Sequence, residues 1–304
     1  MGIFLYNRNA IDTVKWDKCI ANSFNGIIYG FSWYLDIVCD KWEAFIEDDY
    51  IRVMPLTAGY KYYTYYLYQP FFTQQLGVFS VPKLDSAIIN NFLDHIPSKY
   101  KMIEINLNTF LKFENSKFVY KKNVTYQLDL IKQYDNISAL YSAYTKRNLN
   151  HARSNQLVFS QGLNSDEFVE LYKKSLYKKN TGLKDQNYEV LKKLVAFSFQ
   201  HNIGKIHCVW DEKKQLHAAV FFIRSHNKSI TLAAVTSLEG RKSRAMFYLL
   251  DEYIKANSES NLILDFEGSN IEGVAQFYAG FGAQACEYYT IKQNNLPWPI
   301  RLFK

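Results

Sequence analysis

Two carboxylates, Asp265 and Glu267, stand within three residues of each other in the stretch LILDFEGSNIEGVAQFYAGFGA, residues 262–283. They follow the apolar run Leu262-Ile263-Leu264 and precede a short helical pattern that closes in Gly280-Phe281-Gly282. Burying charge is costly unless the charge is paired or used. Side chains alternate along a strand, so both acids are expected on one face, roughly 7 Å apart. They fall at the carboxyl end of that strand, where open α/β sheets bind ligands. A carboxylate there can deprotonate an amine nucleophile if burial raises its pKa toward neutrality. The structural alternative is a pairing with Arg241 or Lys146, or with backbone N–H groups of a turn. Tyr278, further along, is spaced with Val274 and Phe281 as a core side chain would be. Ser269 or Asn270 is placed to cap the helix between them.

Two basic groups complete the set. Lys146, Asn150 and Arg153 fall opposite Tyr144 on a helical stretch, with Arg147 and His151 beside them. Such a stripe is either a solvated face or a clamp for phosphate or carboxylate. Arg241, Lys242 and Arg244 stand where a predicted helix over 241–256 begins. Cations oppose the dipole at a helix N-terminus, and an anionic ligand would relieve that conflict.

The elements that must position these residues are clearest in the second half. Helices are predicted over 137–155, from a capping box at Asn164 and Glu167 to about Lys179, and over 186–201. Three meandering strands follow, Lys205–Trp210, Leu216–Arg224 and Ser229–Thr236, then helix 241–256, strand 262–267, helix 270–279 and strand 285–292. The first half repeats this order more weakly. It has helices at 12–22 and 32–40, strands Trp42–Glu47, Ile51–Thr57 and Tyr60–Tyr68, helix 84–95, and strands Met102–Asn106 and Phe118–Leu130. Internal duplication is the economical reading. It gives an α/β (α+β) protein with mixed sheets and two domains, 1–132 and 133–304, with the cleft in the second.

Composition narrows the partners. With 304 residues the chain is long enough for two domains at roughly 150 residues each. A net charge of +7 favours an anionic partner such as a nucleotide, a phosphate-bearing cofactor, RNA or a membrane surface. The four cysteines lack C-x-x-C spacing and the six histidines form no ligand cluster, which predicts reduced thiols, a cytoplasmic location and no metal. There is no apolar leader and no run long enough to span a bilayer.

The repeated strand order resembles the GNAT acyltransferase superfamily. The segments YTKRNLNHARSN (144–155) and LDFEGSNIEGVAQFYAGFGA (264–283) are similar to its Fem-type (FemAB-like) branch. That branch has two tandem GNAT-like domains and adds amino acids to peptidoglycan precursors from aminoacyl-tRNA. The resemblance implies an N-acyltransferase or aminoacyltransferase with acyl-CoA or aminoacyl-tRNA as donor. The acceptor it implies is an amine or a cell-wall precursor. The resemblance implies that Tyr278 is the acid, as a tyrosine of this helix often is in GNAT enzymes, and that Lys146, Arg147 and Arg153 of the basic helix are ligand contacts. From the residues themselves, Asp265 or Glu267 would be the base, with Arg241 and Arg244 as phosphate contacts. The chain departs from the pattern twice. The glycine-rich phosphate turn reads SLEGRKSRA (237–245), with only Gly240 left and basic side chains after it. The Phe-Lys pair of the last helix is Phe277-Tyr278. These departures support a second reading, a non-catalytic GNAT-like binding module for an anionic ligand or a protein partner.

Overall fold

The computed structural model describes residues 2–111, 115–176, 182–268 and 270–297. Chain order is β1 (Ile3–Asn7), α1 (Thr13–Asn22), α2 (Ser32–Val38), β2 (Trp42–Glu47), β3 (Arg52–Lys61), β4 (Thr64–Tyr68), β5 (Phe79–Ser80), α3 (Ser86–Asp94), β6 (Tyr100–Asn106) and β7 (Val119–Asp129). It continues with α4 (Tyr134–Ala139), α5 (Ala143–Arg153), β8 (Val158–Gln161), α6 (Ser165–Leu176), α7 (Asp185–Gln200), β9 (Gly204–Trp210), β10 (Leu216–Ser225) and β11 (Lys228–Thr236). The last elements are α8 (Leu238–Lys242), α9 (Ala245–Asn257), β12 (Ile263–Asp265), α10 (Glu272–Ala279) and β13 (Gln284–Asn294).

The chain forms two compact units, Met1–Asn123 with Glu287–Lys304, and Val124–Cys286. In the first, β1 to β4 form an antiparallel meander, β4 pairs with β6 in parallel, and β13 closes the sheet antiparallel to β6. In the second, β8 to β11 run antiparallel, β11 pairs with β12 in parallel, and β7 closes the sheet antiparallel to β12. The same order is thus built twice. Each copy takes its closing strand from the other half of the sequence. This explains why the compact units differ from the division at 132/133: the second part of β7 pairs with β12, and the final strand pairs with β6.

Local chemistry accounts for most element ends. Asp12 caps α1 by accepting from Val14 and Lys15, and Asp85 caps α3 by accepting from Ile88. Asn164 and Glu167 form the expected reciprocal cap on α6, at 2.9 and 3.1 Å; its expected end near Lys179 lies outside the described residues. Between β10 and β11, His226 and Asn227 both take the left-handed conformation, which matches the twist of a tight hairpin.

Two predicted helices are each broken in two. The stretch 137–155 divides at Ser142, which caps α5 by accepting from Thr145 while its own N–H donates to the Gly280 carbonyl at 2.9 Å. The stretch 241–256 divides at Arg244, which is left-handed at φ +60°. As a result Arg241 and Lys242 lie in the last turn of α8, where cations agree with the dipole. Only Arg244 stands at a helix N-terminus. The core of the second unit gathers Leu128, Tyr141, Val220, Leu249, Leu264 and Phe281, among others, and that of the first gathers Phe45, Met54, Phe92, Ile105 and Ile291.

Candidate functional site

β11 and β12 pair over Lys228–Ile230 and Ile263–Asp265, and the ladder then stops. Just past its end the Thr231 hydroxyl donates to the Phe266 carbonyl at 2.6 Å. The chain then turns through Glu267 and Gly268, at φ +50° and +55°. A left-handed residue that is not glycine costs about 1–2 kcal/mol, so the surrounding fold, not local preference, sets the position of Glu267.

This geometry separates the two acids. The strand ends at Asp265, so Glu267 does not continue its face as alternation would have it. Asp265 is 1% exposed and surrounded by donors. It accepts from the Thr125 hydroxyl at 2.5 Å, the Gln127 amide at 2.8 Å and the Glu267 N–H at 3.2 Å, with the Lys228 ammonium 3.7 Å away. A carboxylate has about four acceptor positions, and these contacts occupy them. Asp265 therefore ties β7 and β11 to β12, and its partner is Lys228 rather than Arg241 or Lys146.

Glu267 as a whole residue is only half-buried. Its Oε1 is buried. Burial pushes the carboxyl well above the usual carboxylate range, because the charged form loses its hydration. Tyr278 lies within reach of that charge. Its hydroxyl is raised above the ordinary phenol value, first by burial and then by Glu267, while a hydrogen bond with Thr231 acts in the opposite sense. Its ring stacks on Phe266, with centroids 4.6 Å apart and planes at 20°. The structure thus brings together Glu267, Tyr278 and Thr231. Asn270 accepts from the Val124 N–H and does not cap α10, whose N-cap is Ile271; Ser269 lies outside the described residues.

A cavity of about 500 Å³ is lined by Ala234, Thr236, Gly240, Arg241, Arg244 and Phe247 among others, and Glu267, Tyr278 and Thr231 are not among its described lining residues. Phe247 connects the two. Its ring meets Phe277 at 4.8 Å, and Phe277 meets Tyr278 at 5.4 Å. Both arginines are exposed, and among the described residues neither is ion-paired. The Cβ direction of Gly240 points into β10. A Cβ there would overlap the His217 carbonyl oxygen and lie 2.6 Å from its carbon, so glycine is what lets α8 sit against β10. The Gly240 N–H is also taken, by the Ser237 hydroxyl at 2.9 Å. Gly240 therefore offers no free backbone cradle, and the charged groups among the described residues that line the cavity are the guanidinium groups of Arg241 and Arg244.

The helix α5 serves a different purpose. Arg153 Nη2 donates to Asp251, a fully buried carboxylate, at 2.9 Å. The Tyr134 hydroxyl donates to the other oxygen of Asp251 at 2.7 Å. Lys146 donates to the Ala139 carbonyl, and Arg147 lies over the Tyr144 ring. None of these three basic residues is among the described residues lining the cavity. Sequence reasoning missed Thr231 and Phe247. The readable signal for the cavity itself was the small pair Ala233-Ala234 in an otherwise bulky strand.

No protein-family model matches the chain, and a search of curated proteins by sequence finds no match. Solved structures do match. FemX superposes with a TM-score of 0.64 at 11% identity, over 100% of this chain and 99% of its own. The chain has the Fem-type tandem GNAT fold. L-PGS from Bacillus licheniformis matches with a TM-score of 0.56 at 13% identity, over 96% and 95% of the two chains. A conserved protein from Bacteroides thetaiotaomicron VPI-5482 matches with 0.55 at 12% identity, over 93% of each chain. Among the described residues no helix is long and apolar enough to cross a membrane, and no three His, Cys, Asp or Glu side chains are grouped to hold a metal ion.

Proposed function

We propose that this protein is an aminoacyltransferase that moves an acyl group from an activated, phosphate-bearing donor to an amine. The observation that carries this reading is Glu267, its Oε1 enclosed, within electrostatic reach of Tyr278, which aromatic contacts through Phe277 join to Phe247 of the cavity that Arg241 and Arg244 line. In the reaction the amine nitrogen attacks the donor carbonyl and forms a C–N bond. Glu267 takes the proton released from nitrogen as the tetrahedral adduct forms. The carbonyl–oxygen or carbonyl–sulfur bond then breaks, and Tyr278 donates its proton to the leaving group.

The environment of Tyr278 favours an ester donor over a thioester. A thiolate leaving group has a conjugate acid of pKa about 8.5, so a phenol held above its ordinary value gains nothing by protonating it. An alkoxide, the leaving group of an aminoacyl ester on ribose, is basic enough to take that proton. Aminoacyl-tRNA is thus the preferred donor and acyl-CoA the alternative, with an amine of a small molecule or cell-wall precursor as acceptor. A single-turnover assay tests this: the purified protein is mixed with radiolabelled aminoacyl-tRNA or acetyl-CoA and a panel of amine acceptors. Acyl transfer from the tRNA ester, lost in Glu267→Gln, is the expected result. Transfer from acetyl-CoA alone would reassign the donor, and binding without transfer from either would favour the non-catalytic module.

A further inference from the structure

A second cavity, of about 380 Å³, lies at the opposite end of β10 and β11. Arg224 at this end pairs with Ser229, while Thr236 of the first cavity pairs with Ala218. Six residues of strand separate these rungs, about 20 Å at the usual rise. The two cavities are therefore distinct.

Charge in this second cavity is of one sign. Lys205 and Arg224 both line it, both are exposed, and among the described residues neither is ion-paired. Arg224 donates only to neutral oxygens, Tyr253 Oη at 2.7 Å and Asn257 Oδ1 at 2.7 Å. His207 lines the same cavity and is 7% exposed. Its ring lies flat against Phe159 at 5.2 Å and meets Phe222 and Tyr253 edge-on at 5.6 and 5.1 Å. Its Nδ1 is enclosed and has no hydrogen-bond partner among the described residues. A buried polar atom left in that state has lost its hydration without a bond to replace it. Burial, then Arg224, then Lys205 push the imidazole down to about 4, so it is neutral near pH 7. One cavity is thus lined by two cations that have no ion-pair partner among the described residues and by a buried imidazole with an unpartnered nitrogen.

We propose that this cavity binds an oxyanion, the carboxylate or phosphate group of a small molecule, between Lys205, Arg224 and the imidazole of His207. The amides of Gln161, Asn202 and Asn257 at its rim supply further donors to the rest of the ligand. The proposal does not depend on the acyl-transfer reading, because the two sites share no residue.

The test uses the full chain carrying Arg241→Gln and Arg244→Gln, so that anions have no purchase in the first cavity. The His207 imidazole is followed by NMR at constant ionic strength while inorganic phosphate or malonate is added. A bound oxyanion favours the imidazolium, so its titration midpoint should rise by about one unit or more. Adding Lys205→Gln, an exposed substitution that leaves the fold in place, should weaken binding by about tenfold, and Arg224→Gln by at least as much. A response to phosphate alone or malonate alone identifies which oxyanion fits. The proposal is overturned if neither anion moves His207, or if Lys205→Gln binds as tightly as its parent.

Discussion

Arg153 and Asp251 form a half-exposed cation and a fully buried anion joined at 2.9 Å, with the Tyr134 hydroxyl on the anion's other oxygen. The guanidinium therefore belongs to the packing of α5 against α9. Losing one partner of a fully buried pair costs about 3–5 kcal/mol. Water reaches Arg153 and would partly hydrate the remaining carboxylate, so Arg153→Ala should cost about 1–3 kcal/mol. Lys146→Ala removes only a bond to the Ala139 carbonyl and should stay within about 0.5 kcal/mol. Urea unfolding of the two variants separates them; equal midpoints would show that Asp251 does not need the guanidinium.

Gly240 gives a second, purely steric expectation. Any Cβ there meets backbone, which cannot rotate away. Gly240→Ala should destabilise by about 1–3 kcal/mol as overpacking usually does, or force α8 off β10. A ligand-facing glycine would instead leave the melting temperature unchanged and lower only donor affinity. Thermal unfolding without ligand tells the two apart.

Three strands of each meander and most helices were legible because hydrophobic period and turn chemistry are local, whereas β1 and β8, which extend each meander to four strands, were not. The strand Trp42–Glu47 is found as predicted. The pairing of β6 with β13 and of β12 with β7 was not legible, because each joins segments more than a hundred residues apart that carry no periodic signature of their partner. The kinks at Ser142 and Arg244 were hidden for another reason. Each interrupts an amphipathic stripe without changing it, and the left-handed Arg244 contradicts the preference of its own side chain. The sequence offered Asp265 and Glu267 as equivalent acids. They differ because Thr125 and Gln127 on a distant strand supply the donors that saturate one of them.

Arg241 and Arg244 should affect binding rather than folding. Both are exposed and without an ion-pair partner among the described residues, so replacing both with Gln should shift stability by about 0.5 kcal/mol or less. Donor affinity should fall by about tenfold or more, and its dependence on salt should flatten, because exposed ion contacts are screened. Fluorescence titration with the donor at two ionic strengths measures both. An unchanged salt dependence would remove the arginines from the donor site.

Glu267 ties stability and activity to pH with opposite signs. Its folded pKa lies well above the ordinary value near 4.5, so between those two values the native state holds a proton that the unfolded chain has lost. Its contribution is fully present below the unfolded pKa and is lost as pH rises through the folded one. Stability of the natural protein should therefore decline across that window, while Glu267→Gln, which carries no titrating group there, should lack that decline and be the more stable at alkaline pH. Activity should do the reverse, since the base acts only when deprotonated. The acidic limb of the rate profile should follow Glu267, and Glu267→Gln should cut turnover by about 10²–10⁴-fold with acceptor affinity largely kept. Tyr278→Phe keeps the stack on Phe266 and removes only the proton donor, so its loss should be the smaller for a thioester donor and comparable for an ester. Denaturant unfolding and rate measured over the same pH range decide the matter. A Glu267→Gln variant that keeps both the alkaline decline and the acidic limb would show that another group titrates and that Glu267 is not the base.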